Sequence, residues 1–258
     1  MIEETTILTT IGSMLSKKFG KAVIARWTEY RKKNFFDAFL SEFQIDEKNE
    51  YEINKKLDKI LENEQLSSLL HDSYIKVCLS KSKTIGPRIV GYLTAELIAS
   101  GEIADEEEES IFAAAEHLSD DEFYSFFNYY NRLRADAEDD KSEEKKILKG
   151  SNGIIRILDE KWAETGTRQT RDSDLTPESL WVSLGSWASR LESYGFIRNS
   201  MTVKSHYVRM DSERHIDYDQ TWDQYLSKAV FESSCDRLWI YIEKGMPSQN
   251  KTGNNNSE

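Results

Sequence analysis

The scarcity of residues that interrupt a helix is the feature that most constrains what this chain can fold into. Only three prolines and twelve glycines occur among its 258 residues. Proline costs about 3 kcal/mol in a helix interior and glycine about 1 kcal/mol relative to alanine, whereas β folds rely on frequent turns rich in both. The long stretches between them are rich in Glu, Lys, Leu, Ala and Ser. The sequence therefore predicts a mainly α protein.

Length and aromatic content predict a folded chain of one or two domains. Six Trp, twelve Tyr and eleven Phe are too many for a disordered chain. The polar stretch 135–153 is the best candidate for a domain boundary. The predicted organisation is a helical, bundle-like domain at 1–140, a linker at 141–153, a small winged-helix-like domain at 154–244 and a disordered tail at 245–258.

Cysteine usage and the absence of targeting signals predict a cytoplasmic protein. Cys78 and Cys235 lie far apart among apolar neighbours, which is typical of reduced core thiols. No apolar run approaches the roughly 18 residues of a membrane span, and MIEETTILTT lacks the pattern of a secretory signal. His71 and Cys78 could share a helix face, but zinc needs four convergent ligands. The sequence predicts no metal and no cofactor.

The net charge of −12 is concentrated in the first part of the chain. Residues 1–150 carry 21 basic and 30 acidic side chains, and residues 151–258 carry 13 and 16. Because phosphate binding depends on a local excess of Lys and Arg, a bulk attraction to nucleic acid is excluded. The acidic run at 105–109 is predicted to form the first turn of a helix, where carboxylates complement the helix dipole, rather than a metal site.

One segment, residues 14–40, is predicted to form a basic amphipathic helix. Between 17 and 33 it has seven basic residues and one acid, Glu29, with apolar residues at helical intervals. Such a helix can adsorb to an anionic membrane or to an acidic partner, but packing on the protein itself is the favoured interpretation. The candidate membrane or partner contacts are Lys17, Lys18, Lys21, Arg26, Trp27, Arg31, Lys32 and Lys33.

The central part of the chain carries several signals for helix ends. Pro87 is placed near a helix start, where its missing N–H is harmless. Gly101 is predicted to cap the C-terminus of the same helix. Ser119 and Glu122 match a capping box. The helix that follows has an aromatic stripe, which predicts a core face: Phe123, Phe126, Phe127 and Tyr130.

The stretch ESLWVSLGSWASRLESYGFI, residues 178–197, predicts a helix that ends at Gly195 and leads directly into a strand. Thr176 and Pro177 are the predicted helix start. A β-hairpin is predicted between about 197 and 210, and a closing helix between about 219 and 243. Helix, glycine, two apolar residues and hairpin follow in the order of a winged helix-turn-helix.

A winged helix that contacts DNA would need cations on the second helix and the hairpin. The candidates are Arg190, Arg198, Lys204 and Arg209. From 190 to 214 five basic residues face three acids, and the solvent side of the helix is poor in the side chains that make bidentate base contacts. Packing or protein interaction is therefore favoured over DNA binding.

The motifs LSDDEFYSFFNYY and SWASRLESYGFI resemble the abortive-infection alpha type of bacterial and prophage accessory proteins, over residues 60–245 in pattern. The resemblance implies a cytoplasmic, membrane-proximal role in phage defence or stress. It carries no catalytic residue onto this chain. The N-terminal part lacks a long glycine-rich apolar stretch, which argues against membrane insertion.

No catalytic signature is present: G-x-x-x-x-G-K-[ST], G-x-S-x-G, H-E-x-x-H and strand-linked G-x-G-x-x-G are all missing. The sequence therefore predicts a non-enzymatic interaction protein with a protein partner of unknown identity. The alternatives are a DNA-binding regulator that uses the winged helix and a peripheral membrane protein that uses residues 14–40.

Overall fold

The computed structural model describes residues 29–43, 50–138, 147–150, 153–164, 179–210 and 218–247. Within these ranges the chain is mostly helical, which confirms the predicted class. The helices are α1 (Glu29–Glu42), α2 (Glu50–Glu62), α3 (Glu64–Leu79), α4 (Ile85–Ser100), α5 (Glu106–His117), α6 (Asp120–Glu138), α7 (Leu180–Leu184), α8 (Ser186–Ser193) and α9 (Ser234–Gly245). The strands are β1 (Ile147–Gly150), β2 (Gly153–Glu164), β3 (Ile197–Met210) and β4 (Tyr218–Glu232).

The chain divides into two compact units. Of the described residues, those within 29–127 and 237–247 form the helical unit, and those within 128–236 form the sheet unit. Among the described residues, no helix is both long enough and apolar enough to cross a bilayer.

In the helical unit, α4 is the most deeply buried helix. Pro87 lies in its first turn, as predicted. Gly91 allows α1 to approach closely, because a Cβ at this position would lie 2.4 Å from the carbonyl oxygen of Phe35. The neighbouring α1 side chains are almost fully buried, with Phe36 and Phe39 each 1% exposed. Close contact between the two helices thus depends on the missing side chain of Gly91.

The predicted helix ends are confirmed. Gly101 has φ +72° and its N–H donates to the carbonyl of Leu97 at 2.9 Å. Asp105 and Glu108 form a capping box at α5, where four glutamates occupy the first turn. Ser119 and Glu122 exchange the expected hydrogen bonds at the start of α6. The predicted aromatic stripe of α6 is also confirmed, with three of its members at most 1% exposed: Phe123, Phe126 and Tyr130.

The last turn of α9 belongs to the helical unit, and side chains of α4 bind its end. Arg88 donates from Nη1 to the carbonyl oxygen of Gly245 at 3.2 Å. The hydroxyl of Tyr92 donates to the carbonyl oxygen of Lys244, also at 3.2 Å. These contacts satisfy carbonyl groups that a helix C-terminus leaves without an intrahelical partner.

The sheet unit contains one antiparallel sheet with the strand order β1-β2-β4-β3. Ile154 of β2 and Ile197 of β3 both lie opposite Phe231 of β4. Phe196, Ala229 and Phe231 are 0% exposed, so the core of this unit lies at that end of the sheet. A register shift between Ile157 and Asp159 interrupts the β2–β4 pairing.

The predicted helix at 219–243 is wrong over its first part. Residues Tyr218–Glu232 form β4, and the helix begins only at Ser234. The apolar residues of WDQYLSKAVF fit both a helical spacing and an alternation, and the alternation prevails because β4 pairs with strands on both sides. Ser227, Ala229 and Phe231, two residues apart, form its buried face.

The predicted hairpin at 197–210 is also wrong in its extent. Ile197–Met210 is one continuous strand, which pairs with β4 without a register shift. The predicted helix at 178–194 is divided into α7 and α8 by Gly185, whose φ of +101° interrupts helical geometry. Ser179 caps α7 by accepting from the N–H of Trp181, and Thr176 and Pro177 lie outside the described residues. The predicted glycine stop is confirmed, since Gly195 has φ +81°.

The stretch 141–153, predicted as a linker, contains β1 and the first residue of β2. The stretch 245–258, predicted as a tail, contains the last residue of α9, and its residues from 248 onward lie outside the described ranges.

Candidate functional site

One face of the sheet is lined by polar pairs. Residues opposite each other in neighbouring antiparallel strands share a face, and the even-numbered residues of β3 from Arg198 to His206 lie on this one. Arg198 pairs with Glu232 at 2.9 Å, and Nζ of Lys228 donates to Oγ1 of Thr202 at 2.9 Å. Gln224 continues this pattern by contacting side chains of β2 and β3. The β3 part of this face is therefore polar, with Arg198, Lys204 and His206 exposed, whereas Leu226 of β4 on the same face is 5% exposed.

The opposite face is covered at one end by aromatic side chains. Tyr129 of α6 stacks on Phe231, with ring centroids 5.7 Å apart, and contacts Trp187 of α8 at 5.4 Å. The guanidinium of Arg156 lies 5.2 Å from the centroid of the Tyr129 ring. Burial raises the pKa of Tyr129, and the positive charge of Arg156 partly offsets this rise. This end of the sheet is structural core.

Farther along the same face, β3 presents apolar side chains to solvent. Met201 is 36% exposed and Val203 is 48% exposed. The next odd-numbered residue, Ser205, donates to Oδ1 of Asp223 at 2.6 Å across the β3–β4 pair. β3 therefore has an apolar side at 201 and 203 and a cationic, polar side at 198 to 206.

The backbone of β3 forms an edge of the sheet. It pairs with β4 on one side, and on its other side no strand is found within the described residues. Its fourteen residues extend over about 46 Å at roughly 3.3 Å per residue. They include three cations, Arg198, Lys204 and Arg209, and no Asp or Glu. In a chain of net charge −12, this is an unusually basic strand.

A second exposed apolar feature lies on α7. Trp181 is 59% exposed and its neighbour Val182 is 69% exposed. They are fixed in place by Leu180, which is 1% exposed, and by the cap at Ser179. These two exposed apolar side chains are candidates for a contact with another molecule.

The four residues predicted to contact nucleic acid differ in their environments. Arg190 is half-buried on α8, Arg198 is ion-paired with Glu232, and Lys204 is exposed. Arg198 and Lys204 lie on one side of β3, about 20 Å apart for six residues of extended chain. Arg209 lies opposite Asp219 in the β3–β4 register. Arg198 thus has an ion-pair partner, and Arg209 has an aspartate opposite it on the neighbouring strand.

Three of the eight predicted membrane or partner contacts are described. Arg31 donates from Nη1 to the carbonyl of Cys78 at 3.4 Å, Lys32 is 9% exposed and Lys33 is half-buried. The described part of the predicted basic helix is α1, Glu29–Glu42. Its phenylalanines lie in the core of the helical unit. The other five residues lie outside the described ranges: Lys17, Lys18, Lys21, Arg26 and Trp27.

Asp120 has a role that no sequence pattern indicates. Its carboxylate accepts hydrogen bonds from the backbone N–H groups of Lys83, Thr84 and Ile85 and from the hydroxyl of Ser82. The N-terminus of a helix is a favourable place for an anion, and at α4 a carboxylate of the chain itself fills that place. A cap supplied from 35 residues away leaves no local sequence pattern.

Two further reactive side chains, Cys235 and Tyr241, are engaged in the core. Cys235 is 0% exposed, its Sγ lies 3.2 Å from the carbonyl of Phe196, and burial raises the pKa of the thiol. Tyr241 donates to Glu96, and burial together with this carboxylate raises the pKa of its hydroxyl. Over the described ranges, no group of three or more His, Cys, Asp or Glu side chains is placed to hold a metal ion.

Comparison with known proteins adds no relative: no family model, no curated protein and no solved structure matches this chain.

Proposed function

We propose that the protein is a cytoplasmic, non-enzymatic interaction protein that acts in phage defence or as a prophage accessory factor. Its contacts with a protein partner are made by the sheet unit. The observation that carries this proposal is the adjacent pair Trp181 and Val182, at 59% and 69% exposure.

Tryptophan is among the residues that most often dominate the binding energy of protein interfaces. An exposed tryptophan next to an exposed valine costs solubility unless a partner covers both. The anchoring of α7 by Leu180 and Ser179 presents the pair in one orientation, so little side-chain and loop ordering opposes binding. The defence role itself rests on the sequence resemblance.

A second function, DNA binding by a winged helix, is favoured by the order of elements in the sheet unit. β2 is followed by α7, α8, β3 and β4, and β2 pairs with β4. This order fits a helix-turn-helix followed by a wing. Protein binding is preferred because α8, in the position of the recognition helix, is eight residues long, and because Arg198 is neutralised by Glu232.

The protein-binding proposal is tested by quantitative affinity capture of the tagged full chain from phage-infected bacterial cells. The variant Trp181→Ser/Val182→Ser removes the apolar pair, and Ile103→Ser is the matched control, because Ile103 is a 75% exposed apolar residue of the helical unit. We expect at least one protein that the wild type and the control capture equally and the double variant loses. Equal capture by all three proteins would refute the proposal.

The DNA alternative is tested with random duplex DNA at about 50 and about 200 mM salt. Protein binding as proposed predicts no measurable affinity at either salt concentration. An affinity that falls steeply with salt and disappears in a quadruple alanine variant would establish DNA binding instead. That variant combines Arg190→Ala, Arg198→Ala, Lys204→Ala and Arg209→Ala.

A further inference from the structure

We propose that β3 is a docking edge for an extended acidic segment of a partner protein, which adds to the sheet as a fifth strand. The proposal rests on the proposed interaction function and names the chemistry of the partner. It joins three observations: the edge of β3 that no strand of the described residues covers, the exposed cation Lys204 on this strand and the alternation of its side chains.

The open edge supplies backbone hydrogen bonds. In a strand paired on one side only, every second residue directs its N–H and C=O away from the sheet. The exposed stretch of β3 includes Met201 and the four residues from Val203 to His206. Main-chain hydrogen bonds to such an edge give affinity in strand addition, and the alternating side chains give specificity.

The side chains of β3 define which strand fits. One side carries the exposed Lys204 and His206 and the Arg198–Glu232 ion pair, and the other carries the exposed apolar residues Met201 and Val203. Because a strand added beside β3 also alternates, it would complement both sides if acidic residues alternated with apolar ones. The partner segment is therefore predicted to alternate Glu or Asp with residues such as Val.

The same charges disfavour a second copy of this chain as the occupant. Two β3 strands paired edge to edge would bring cations together with no carboxylate on either strand. Like charges on paired strands are destabilising, and lysine on an edge strand is a common protection against self-pairing. Nucleic acid is disfavoured as well, because phosphates do not use the apolar side of β3, where Met201 and Val203 are exposed.

The test measures binding of the full chain to synthetic peptides of about eight residues, a common strand length. One peptide alternates Glu with Val and the other alternates Lys with Val. We expect the Glu–Val peptide to bind and the Lys–Val peptide to fail. Equal binding of both peptides, or of neither, would overturn the proposal.

The binding position of the peptide is tested with Lys204→Glu on β3. The matched variant is Lys149→Glu, which changes an exposed lysine of β1, the opposite edge strand. Reversal of an exposed charge should weaken binding of the Glu–Val peptide about fivefold at position 204 and leave it unchanged at position 149. The opposite result would place the peptide on β1 and overturn the proposal. Circular dichroism and the melting temperature confirm that both variants are folded.

Strand addition is separated from surface adsorption by N-methylating the peptide at alternate residues. Methylation of the set that faces β3 should abolish binding, and methylation of the other set should preserve it. Tolerance of both sets would show that no backbone pairing occurs. Peptide-independent self-association in sedimentation velocity, or duplex DNA binding lost in Lys204→Glu, would also overturn the proposal by identifying another occupant.

Failure of this inference can be distinguished from failure of the proposed function. If the peptides do not bind but the Trp181→Ser/Val182→Ser variant still loses its captured protein, only the docking edge is refuted. If the peptide binds at β3 but capture is the same for all variants, the α7 pair is not the partner contact.

Discussion

The two units differ in how they satisfy their backbone polar groups. In the helical unit, backbone hydrogen bonds are closed within each helix, and side chains or turn residues cap several of the ends. Asp120 closes the start of α4, Gly101 its end, and Asp105 the start of α5. In the sheet unit, β3 keeps one side of its backbone without a partner strand in the described part of the chain.

This difference gives capped helices and an edge strand different capacities for binding a partner. A capped helix offers a partner only its side chains, whereas an edge strand also offers hydrogen-bonding groups that gain free energy when a strand is added. The polar contacts follow the same division: Asp120 binds four groups at one site, while the pairs on the sheet are mostly exposed.

The closest contact in the helical unit should be the most sensitive to substitution. Gly91→Ala places a Cβ 2.4 Å from the carbonyl of Phe35, so α1 must move away from α4. We expect the free energy of unfolding to fall by about 3 kcal/mol, as measured by urea denaturation. Gly101→Ala is the control. A Cβ added at this position would have no neighbouring atom within 4 Å, so only the strain at φ +72° should lower the free energy of unfolding, by about 1 kcal/mol. Equal effects would refute the close packing of α1 and α4.

Removing the Asp120 cap should lower the free energy of unfolding more than removing the neighbouring carboxylate of Asp121. Asp120→Ala leaves three backbone N–H groups and the Ser82 hydroxyl without their acceptor. The expected loss is about 2 kcal/mol of unfolding free energy. Asp121→Ala, the adjacent exposed carboxylate, should change it by less than about 0.5 kcal/mol. A reversal of this order would contradict the described cap.

Alkaline pH should weaken the sheet unit through Cys235. The pKa of this thiol is raised in the folded state from its ordinary value of 9.0 by burial. Above pH 9.0 the unfolded chain therefore loses a proton that the folded chain retains, and stability decreases as pH rises. Between pH 9 and pH 10 the unfolding free energy should fall by about 1 kcal/mol from this group. Cys235→Ala should reduce the decline, and Cys78→Ala should leave it in place.

The smallest effect is expected on the polar face of the sheet. The ion pair of Arg198 and Glu232 is 2.9 Å long, but the Arg198 side chain is 66% exposed. Arg198→Ala should therefore lower the unfolding free energy by about 0.5 kcal/mol or less. Lys204→Ala is the matched substitution on the same side of β3. A loss above about 1 kcal/mol for Arg198→Ala would show that this pair is a structural contact like the one at Asp120.

The sequence predicts local features well and long-range ones poorly. Gly101, Gly195 and the pair Ser119 and Glu122 signal helix ends through their own conformational preferences, so the structure matches them. The strand at Tyr218–Glu232 was missed because its apolar residues also fit a helix, and only pairing with β2 and β3 decides between the two. Gly185 was missed as a helix break because a single glycine is tolerated within many helices.

The edge of β3 and the exposed Trp181 could be predicted only in part, for the same reason. Arg198 and Lys204 could be selected from the local charge balance. That β3 is an edge, and that Met201 and Val203 remain exposed on it, depends on the order of the strands. The exposure of Trp181 likewise depends on the break at Gly185, because an unbroken helix through this segment would give a different set of buried positions.

Amide hydrogen exchange of the full chain, resolved by residue with NMR, tests the contrast between closed and open backbone most directly. β4 is paired on both sides, so its amides from Tyr225 to Phe231 should exchange slowly, except at Ser227 and Lys228 opposite the register shift of β2. On β3, from Arg198 to His206, slow and fast amides should alternate, because only every second N–H donates to β4. Uniformly slow exchange along both strands would contradict the account, since the edge of β3 would then already be covered.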